Sequence, residues 1–414
     1  MACFALQLGC QRGPSGQPLL PAGVTASAAS HPHTSTVPSE AEPLALIPAA
    51  RCGECHGQLE NEWRKSAHAQ AESSPSYQRM RALARTGSKS AAQAEECDAC
   101  HAPLRRFAPT DRVNDEGVSC DGCHTLSNVA SGGGQGLLFR PDDNVRFGPL
   151  CDAQAHYFHR MGCAPWFRES QFCAACHDAP RHLPAVTGPP TSLFPEYSEW
   201  RDEYSAQGSQ DCQACHMPAT RREVAVGSAE RADVREHTFR LPERLLGRAL
   251  SGQAEVTARG GALHVVVTLS NGGAGHAVPT GLPERRLQIG VELVDAAGHV
   301  SAQKEHSRGR VLVDESGAEA PFFAAVRVAH DSRIHPGKTE SDVFDLPCGS
   351  GSGSRLSIFV RRRPIALGIW QKLGGAPPSD EPMLHGELAL PAGWLSNSVP
   401  SKAPAEPIRV RLGP

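Results

Sequence analysis

Cys52-Gly53-Glu54-Cys55-His56, Cys97-Asp98-Ala99-Cys100-His101, Cys120-Asp121-Gly122-Cys123-His124, Cys173-Ala174-Ala175-Cys176-His177 and Cys212-Gln213-Ala214-Cys215-His216 repeat one pattern, Cys-X-X-Cys-His, within the first 216 of 414 residues. Two thiols three positions apart can add to the two vinyl groups of one haem, and the histidine that follows then faces the iron as proximal ligand. The pattern predicts five covalently attached haem c groups. Cys52, Cys55, Cys97, Cys100, Cys120, Cys123, Cys173, Cys176, Cys212 and Cys215 are the attachment residues, and His56, His101, His124, His177 and His216 the proximal ligands.

With 15 cysteines and 19 histidines in the chain, chance would supply roughly 0.025 copies. A zinc site of paired Cys-X-X-Cys units explains neither an odd number of pairs nor a histidine after each one. A thioredoxin-like redox motif fails on the same histidine.

Fourteen cysteines precede residue 216 and only Cys348 follows it. This asymmetry divides the chain into a haem-bearing part and a haem-free part. Aromatic residues make up only 5% of the chain, thin material for a conventional core, so the porphyrins are expected to supply the apolar surface of the first half. The formal charge is -3; each ferric haem with two ionised propionates adds about -1, for a holoprotein near -8, which argues against nucleic acid as a partner.

Attachment to this motif takes place outside the cytoplasm, so an export signal is expected. Ala2 to Leu8 are apolar but lack a basic flank, as in the remnant of a signal sequence. Gln7-Leu8-Gly9-Cys10 resembles a lipobox with glutamine in the third position before the cysteine, which makes Cys10 the candidate for a lipid anchor. Residues 11–48, rich in Pro, Ser, Ala and Gly, have the composition of a linker, and disorder suits His31 and His33 better than ligation. No run reaches the 18 apolar residues of a membrane span.

Trp63, Ala67, Met80 and Leu83 give Glu60 to Arg85 a helical pattern, interrupted at Ser73-Ser74-Pro75. Gly132 to Gly136 reads as a flexible loop, and Pro184 to Pro195 as an irregular stretch. After about residue 250 the period falls to two. Leu263 to Leu269, Leu287 to Leu293, Arg310 to Val313, Val326 to Ala329, Asp342 to Leu346, Leu356 to Arg362, Glu387 to Leu390 and Ile408 to Leu412 are strand-like runs at the spacing of a β-sandwich. The expected class is α+β. A signal remnant or lipoprotein anchor with a disordered linker (1–48) precedes a mainly helical or irregular pentahaem domain (49–245), followed by an all-β, Ig-like sandwich of about seven strands (246–414).

What fills the sixth position of each iron separates electron transfer from catalysis. Trp63-Arg64-Lys65-Ser66-Ala67-His68-Ala69 after the first motif resembles the Trp-X-X-Ser-X-His-Ala segment of cytochromes of the c-554 type. Glu116-Gly117-Val118-Ser119, Phe147-Gly148-Pro149 followed by His159, and Glu199-Trp200 continue the likeness through the fifth motif and its trailing Met217-Pro218. His237-Thr238-Phe239, Gly275-His276-Ala277-Val278-Pro279-Thr280-Gly281 and Pro336-Gly337 resemble extensions of larger members. A fifth haem and a long β domain depart from the tetrahaem carriers.

The resemblance implies distal ligands at His68, His159, His237 and His276. For the fifth, His182 and His156 compete. Surface or hydrogen-bonding roles suit His264, His299, His306, His330, His335 and His385, and ordinary packing suits Met161 and Met217. If His276 ligates, the β domain closes over one haem; otherwise Gly275-His276 is a turn between strands. A Cys151–Cys163 disulfide suits an oxidising compartment, with buried free thiols as the alternative. Arg361-Arg362-Arg363 reads as a solvated strand edge.

The expected activity is electron transfer between donor and acceptor proteins or quinone-linked cytochromes in the periplasm or cell envelope, with an outer-membrane lipoprotein as the form that Cys10 would give. No catalytic residue is assigned. The alternatives are an oxidoreductase of small nitrogen or sulfur oxy-compounds at one open-coordinate haem, and a binding or sensory module in which the haems are structural. No motif here replaces its histidine by lysine, as the ammonia-forming nitrite reductases do, and the four tyrosines leave few candidates for a haem crosslink.

Overall fold

Each motif needs one helical turn, because residues i, i+3 and i+4 share a helix face and so project two thiols and an imidazole together. The computed structural model describes residues 46–86, 90–107, 112–129, 137–140, 144–154, 158–185, 191–205, 210–239, 243–259, 261–347, 353–390 and 406–414. The expectations for Cys10, His31, His33, Gly132 to Gly136, His156 and Cys348 lie outside these residues. Short helices carry the motifs. α1 (Ala49–Gly53) and α2 (Gly57–Arg64) flank the first, α3 (Pro75–Arg85) leads to α4 (Ser90–His101), which ends in the second, and α5 (Cys120–His124) is the third. α6 (Gln171–His177) ends in the fourth, and α7 (Glu196–Glu199) precedes α8 (Cys212–His216), the fifth.

At the first motif, where two helices meet, the His56 N–H still donates to Cys52 O at 2.8 Å and closes the turn. The interruption at Ser73-Ser74-Pro75 is a helix start. Ser74 Oγ accepts from the Tyr77 N–H while Pro75, with no N–H to satisfy, opens α3.

Four small ribbons join these helices: β1 (Leu126–Val129) with β2 (Leu137–Phe139), β3 (Val145–Gly148) parallel to β4 (Arg160–Cys163), β5 (Ala179–Leu183) with β6 (Thr191–Phe194), and β7 (Ala219–Glu223) with β8 (Glu230–Arg235). Three to six residues each, they are too short for a period of two to register in the sequence. A Cys151–Cys163 disulfide is present, so the free-thiol alternative does not hold.

From α9 (Glu243–Ala249) onward the chain builds two antiparallel sheets. β9 (Ser251–Arg259), β10 (Ala262–Ser270), β14 (Thr339–Pro347) and β17 (Ile408–Leu412) form one, in the order β14-β10-β9-β17. The other runs β13-β12-β11-β15-β16, from β11 (Arg286–Asp295), β12 (Val300–Val313), β13 (Arg327–Asp331), β15 (Gly353–Arg363) and β16 (Glu381–Ala389). One core contains side chains of both, including Val256, Leu263, Val265 and Phe344 from the first and Leu287, Ile289, Ile358 and Leu384 from the second.

Among the described residues, nine strands replace the expected seven or so. β9 gives only a weak alternating signal, because its inward residues Ala254, Val256 and Ala258 are mostly small. The expectation for Arg361 to Arg363 is corrected: β15 lies between β11 and β16, Arg362 pairs with Glu381, Arg363 pairs with Asp380 at 2.7 Å, and Arg361 covers the Phe359 ring.

Pro43–Pro414 form a single unit. α10 (Leu367–Leu373), after β15, packs Ile369 and Trp370 on Met80 of α3, so the two architectures share an apolar seam. No helix among the described residues is long and apolar enough to cross a membrane.

Candidate functional site

All ten motif cysteines and five motif histidines line one connected cavity of about 2780 Å³, together with His68, His159, His237 and His276. A typical small-molecule pocket holds about 300–1,000 Å³, so the space suits several large cofactors. Its walls are mainly apolar side chains such as Leu59, Trp63, Phe147, Phe172 and Phe239.

Four proximal histidines face a second imidazole. Ring centres lie 6.3 Å apart for His56 and His159, 6.3 Å for His177 and His68, 6.2 Å for His124 and His237, and 6.3 Å for His216 and His276. An imidazole nitrogen bonds a metal at about 2 Å and its ring centre lies about 1 Å beyond, so two imidazoles on opposite sides of one metal put their centres about 6 Å apart. The four separations fit one iron between each pair.

His101 is different. Among the described residues no histidine stands opposite it, and the ring against it is Tyr77, stacked at 4.0 Å. His182 lies on β5 opposite Ser192, with its side chain outside the described residues. His264, His299, His306, His335 and His385 hydrogen-bond or pair within the β region or with Glu203, away from the motif pairs.

The rings are aimed by their other nitrogen. Nδ1 of His56 meets Val224 O at 2.8 Å, His101 meets Ala71 O at 2.9 Å, His124 meets Phe147 O at 2.6 Å and His237 meets Arg235 O at 2.9 Å. A carbonyl at Nδ1 fixes that nitrogen as the donor and leaves the Nε2 lone pair for a metal. Burial favours the neutral form, the one that ligates, at His68, His101, His124, His216 and His237. It pushes His68 down to about 3, with His177 adding to the effect, and His216 and His237 down to about 4.

The segments that carry the family resemblance hold one another. Trp63 Nε1–H donates to Val118 O at 2.8 Å, and the Val118 N–H donates to His68 O at 3.0 Å. Gly117, at φ +68°, passes so close that a Cβ there would lie 2.5 Å from His68 O, which is why only glycine serves. The Trp-X-X-Ser-X-His-Ala segment is thus clamped to the bend leading into the third motif, and His68 is thereby set opposite His177.

His237 is placed by Glu62, whose carboxylate accepts the His237 N–H at 2.9 Å and pairs with Arg222. Burial would raise the Glu62 pKa, but Arg222 and that N–H outweigh it and hold the carboxyl below its usual range. His276 reaches His216 because α7 grips its loop. Glu199 accepts the Ala277 N–H at 2.9 Å, and Glu196 accepts from the Thr280 hydroxyl and the Gly281 N–H. Glu199 also pairs with Arg333 at 2.8 Å, Arg333 with Asp331, and Asp331 with Arg310; the Glu199, Arg333 and Arg310 side chains are buried and that of Asp331 is partly exposed. The positioning roles of Glu62, Glu196, Glu199 and Tyr77 went unread in the sequence; Glu199 stood in the quoted Glu199-Trp200 pair without a role.

Thiols of different motifs touch. Cys52 contacts Cys120, Cys176 contacts Cys100, and Cys173 contacts Cys212. Cys123 is near enough to Cys173 and Cys176 to act on both. The fourth motif therefore adjoins the second, third and fifth, while the first adjoins the third. Among the described residues no group of three His, Cys, Asp or Glu side chains converges as a tetrahedral metal site would need.

Residues 51–125, which span the first three motifs, match the family model described as cytochrome c554 and c-prime. The structure is similar to the crystal structure of a penta-heme cytochrome c552 from Thermochromatium tepidum, with a TM-score of 0.65 and 21% identity over 84% of this chain and 100% of that one, a likeness of fold. No curated protein matches the chain. Motifs, family match and fold agree: the chain is a multihaem c-type cytochrome that resembles the cytochrome c554 group.

Proposed function

We propose that the chain is a pentahaem electron carrier working outside the cytoplasm between donor and acceptor proteins. The observation that carries this is the set of four histidine pairs at 6.2–6.3 Å. Two imidazoles on one iron leave no open position for a substrate and suit outer-sphere electron transfer. Cys52, Cys55, Cys97, Cys100, Cys120, Cys123, Cys173, Cys176, Cys212 and Cys215 would attach the haems. His56 with His159, His124 with His237, His177 with His68 and His216 with His276 would ligate four of them.

Each haem, when bound, supplies one iron that gains and loses an electron. The chain supplies the rest. Carbonyls hold the ligands in one tautomer, apolar walls exclude water and so limit reorganisation, and the thiol contacts bring neighbouring motifs edge to edge. The arrangement favours a branched array with the fourth motif at the junction. A position in the periplasm or cell envelope follows from the chemistry of attachment, and Cys10 would anchor the protein there if lipidated.

A second reading rests on His101, whose described surroundings include Tyr77 but no second histidine. An open iron there would support an oxidoreductase acting on small nitrogen or sulfur oxy-compounds. Low-temperature EPR of the oxidised holoprotein, with iron counted per chain, separates the two. Five irons with low-spin signals alone support the carrier. One high-spin iron that changes on adding nitrite or hydroxylamine gives the lead to the enzyme.

A further inference from the structure

Among the described residues, eight arginines and no lysine line the cavity. Six of the eight bind a carboxylate of the chain, as Arg146 does with Asp121 at 2.6 Å and Arg81 with Asp98 at 2.6 Å. Arg235 turns instead to the carbonyls of Gln213 and Met217. Arg285 has one described partner, Thr280 O at 2.9 Å, and no described carboxylate within ion-pair distance.

The acids that act on its charge, Glu196 and Glu381, stay beyond ion-pair distance. Glu381 pairs with Arg362, and Glu196 accepts from Thr280 and Gly281. Burial, with Arg362 adding to it, pushes the Arg285 pKa down to about 10, so the guanidinium remains charged at neutral pH in a site that disfavours charge. Such a group is better accommodated when an anion meets it.

The surroundings are shaped for this side chain. Gly281, at φ +83°, lies so close that a Cβ would come 2.5 Å from Arg285 Nη1. Beyond it, Leu282 joins Phe322, Phe323 and Ile365 in the apolar cluster that packs on Met80. Met80 is one turn from Tyr77, the ring stacked on His101. Arg285 therefore stands on the cavity wall between the loop that delivers His276 and the α3 side that carries Tyr77.

We propose that Arg285 is an anion-binding residue of this cavity, taking a planar carboxylate or a small oxyanion in the fork of its guanidinium. The carboxylate source is a haem propionate, which makes Arg285 its counter-ion; the other source is a free oxyanion held beside the iron of the second motif. The proposal rests on haem filling the cavity. Arginine rather than lysine suits both sources, since its five donors bind two oxygens at once.

The test uses the holoprotein, its iron content measured first, with Arg285→Gln and Arg285→Lys compared by potentiometric titration and by nitrite-difference spectra. With a propionate as the anion, Arg285→Gln shifts the oxidised-to-reduced ratio of one haem about tenfold toward oxidised at fixed potential, a fall of about 59 mV for one electron. Arg285→Lys keeps most of the midpoint, and the response to nitrite is unchanged.

With a free oxyanion, the midpoints stay and Arg285→Gln weakens the nitrite-induced change at least tenfold. Fully haem-loaded Arg285→Gln with neither change overturns the proposal. If Arg285→Gln fails to assemble, Arg285→Met, uncharged and similar in length, takes its place, and unaltered midpoints and nitrite spectra in that variant overturn the proposal. Iron deficiency in the unsubstituted protein would instead count against the haem reading.

Discussion

Along β10, Leu263, Val265, Val267 and Leu269 are 0% exposed, each packed on side chains of the same chain. Around the motifs the apolar clusters hold two or three buried residues, such as Leu46 with Leu104 and Val113, while Trp63, Phe147 and Phe172 line the large cavity. The β region brings its own core, a single cluster of 23 buried residues. The haem region encloses a space for porphyrins to fill. The lesson is that one half folds by burying its sequence against itself, and the other by burying it against a cofactor.

The strongest way to break this contrast is to withhold haem. Replacing all ten motif cysteines by alanine should leave the stretch before residue 245 digested within minutes by protease, while a fragment of the β region survives with its strand signal in circular dichroism. Uniform resistance along the chain would show that the motif region has a core of its own.

Next in size is the buried link between the halves. Arg333→Met leaves Glu199 without its cation and Asp331 with Arg310 alone, at about 3–5 kcal/mol, and frees the loop that delivers His276. Denaturant unfolding should show the loss, and EPR should show one haem turning high-spin. Leu287→Ala in the β core should cost about 2–5 kcal/mol yet leave iron content and all EPR signals unchanged. A spectral change there would mean that the two cores are one.

His276→Ala sharpens the comparison further, because it should convert one haem to high-spin with little effect on the melting of the β region. The smallest effect concerns acid. Asp331 is partly exposed, and Arg333 and Arg310 outweigh its partial desolvation and hold its carboxyl well below the usual range. A depressed folded pKa contributes stability that is complete above the unfolded value of about 4 and is lost as pH falls below it. The His276 haem should therefore change spin state on acidification below about pH 4, before the β core melts, and Asp331→Asn should remove the pH dependence.

The contrast also explains what was legible. Cys-X-X-Cys-His needs only one helical turn, so attachment and proximal residues are local and stand in the sequence without ambiguity. Strands such as β10 and β14 announce themselves by period, since every second residue meets the opposing sheet. The two-stranded ribbons did not, because Leu137–Phe139 is three residues long and its partner is specified by distance in space. The resemblance proposed His68, His159, His237 and His276, but nothing in the pattern said which proximal histidine each one faces.

Covalent chemistry and local geometry were determined by the sequence alone: five attachment motifs on helical turns, and a two-sheet region from alternating residues. The tertiary structure decided the pairings. His68 faces His177, 109 positions away in sequence, and His276 crosses from the β region to His216. It also left His101 beside Tyr77 rather than a described second histidine. The physical reason is that an axial pair is defined by two rings about 6 Å apart in space, held there by carbonyls, a clamped glycine and buried carboxylates from segments that no local pattern connects.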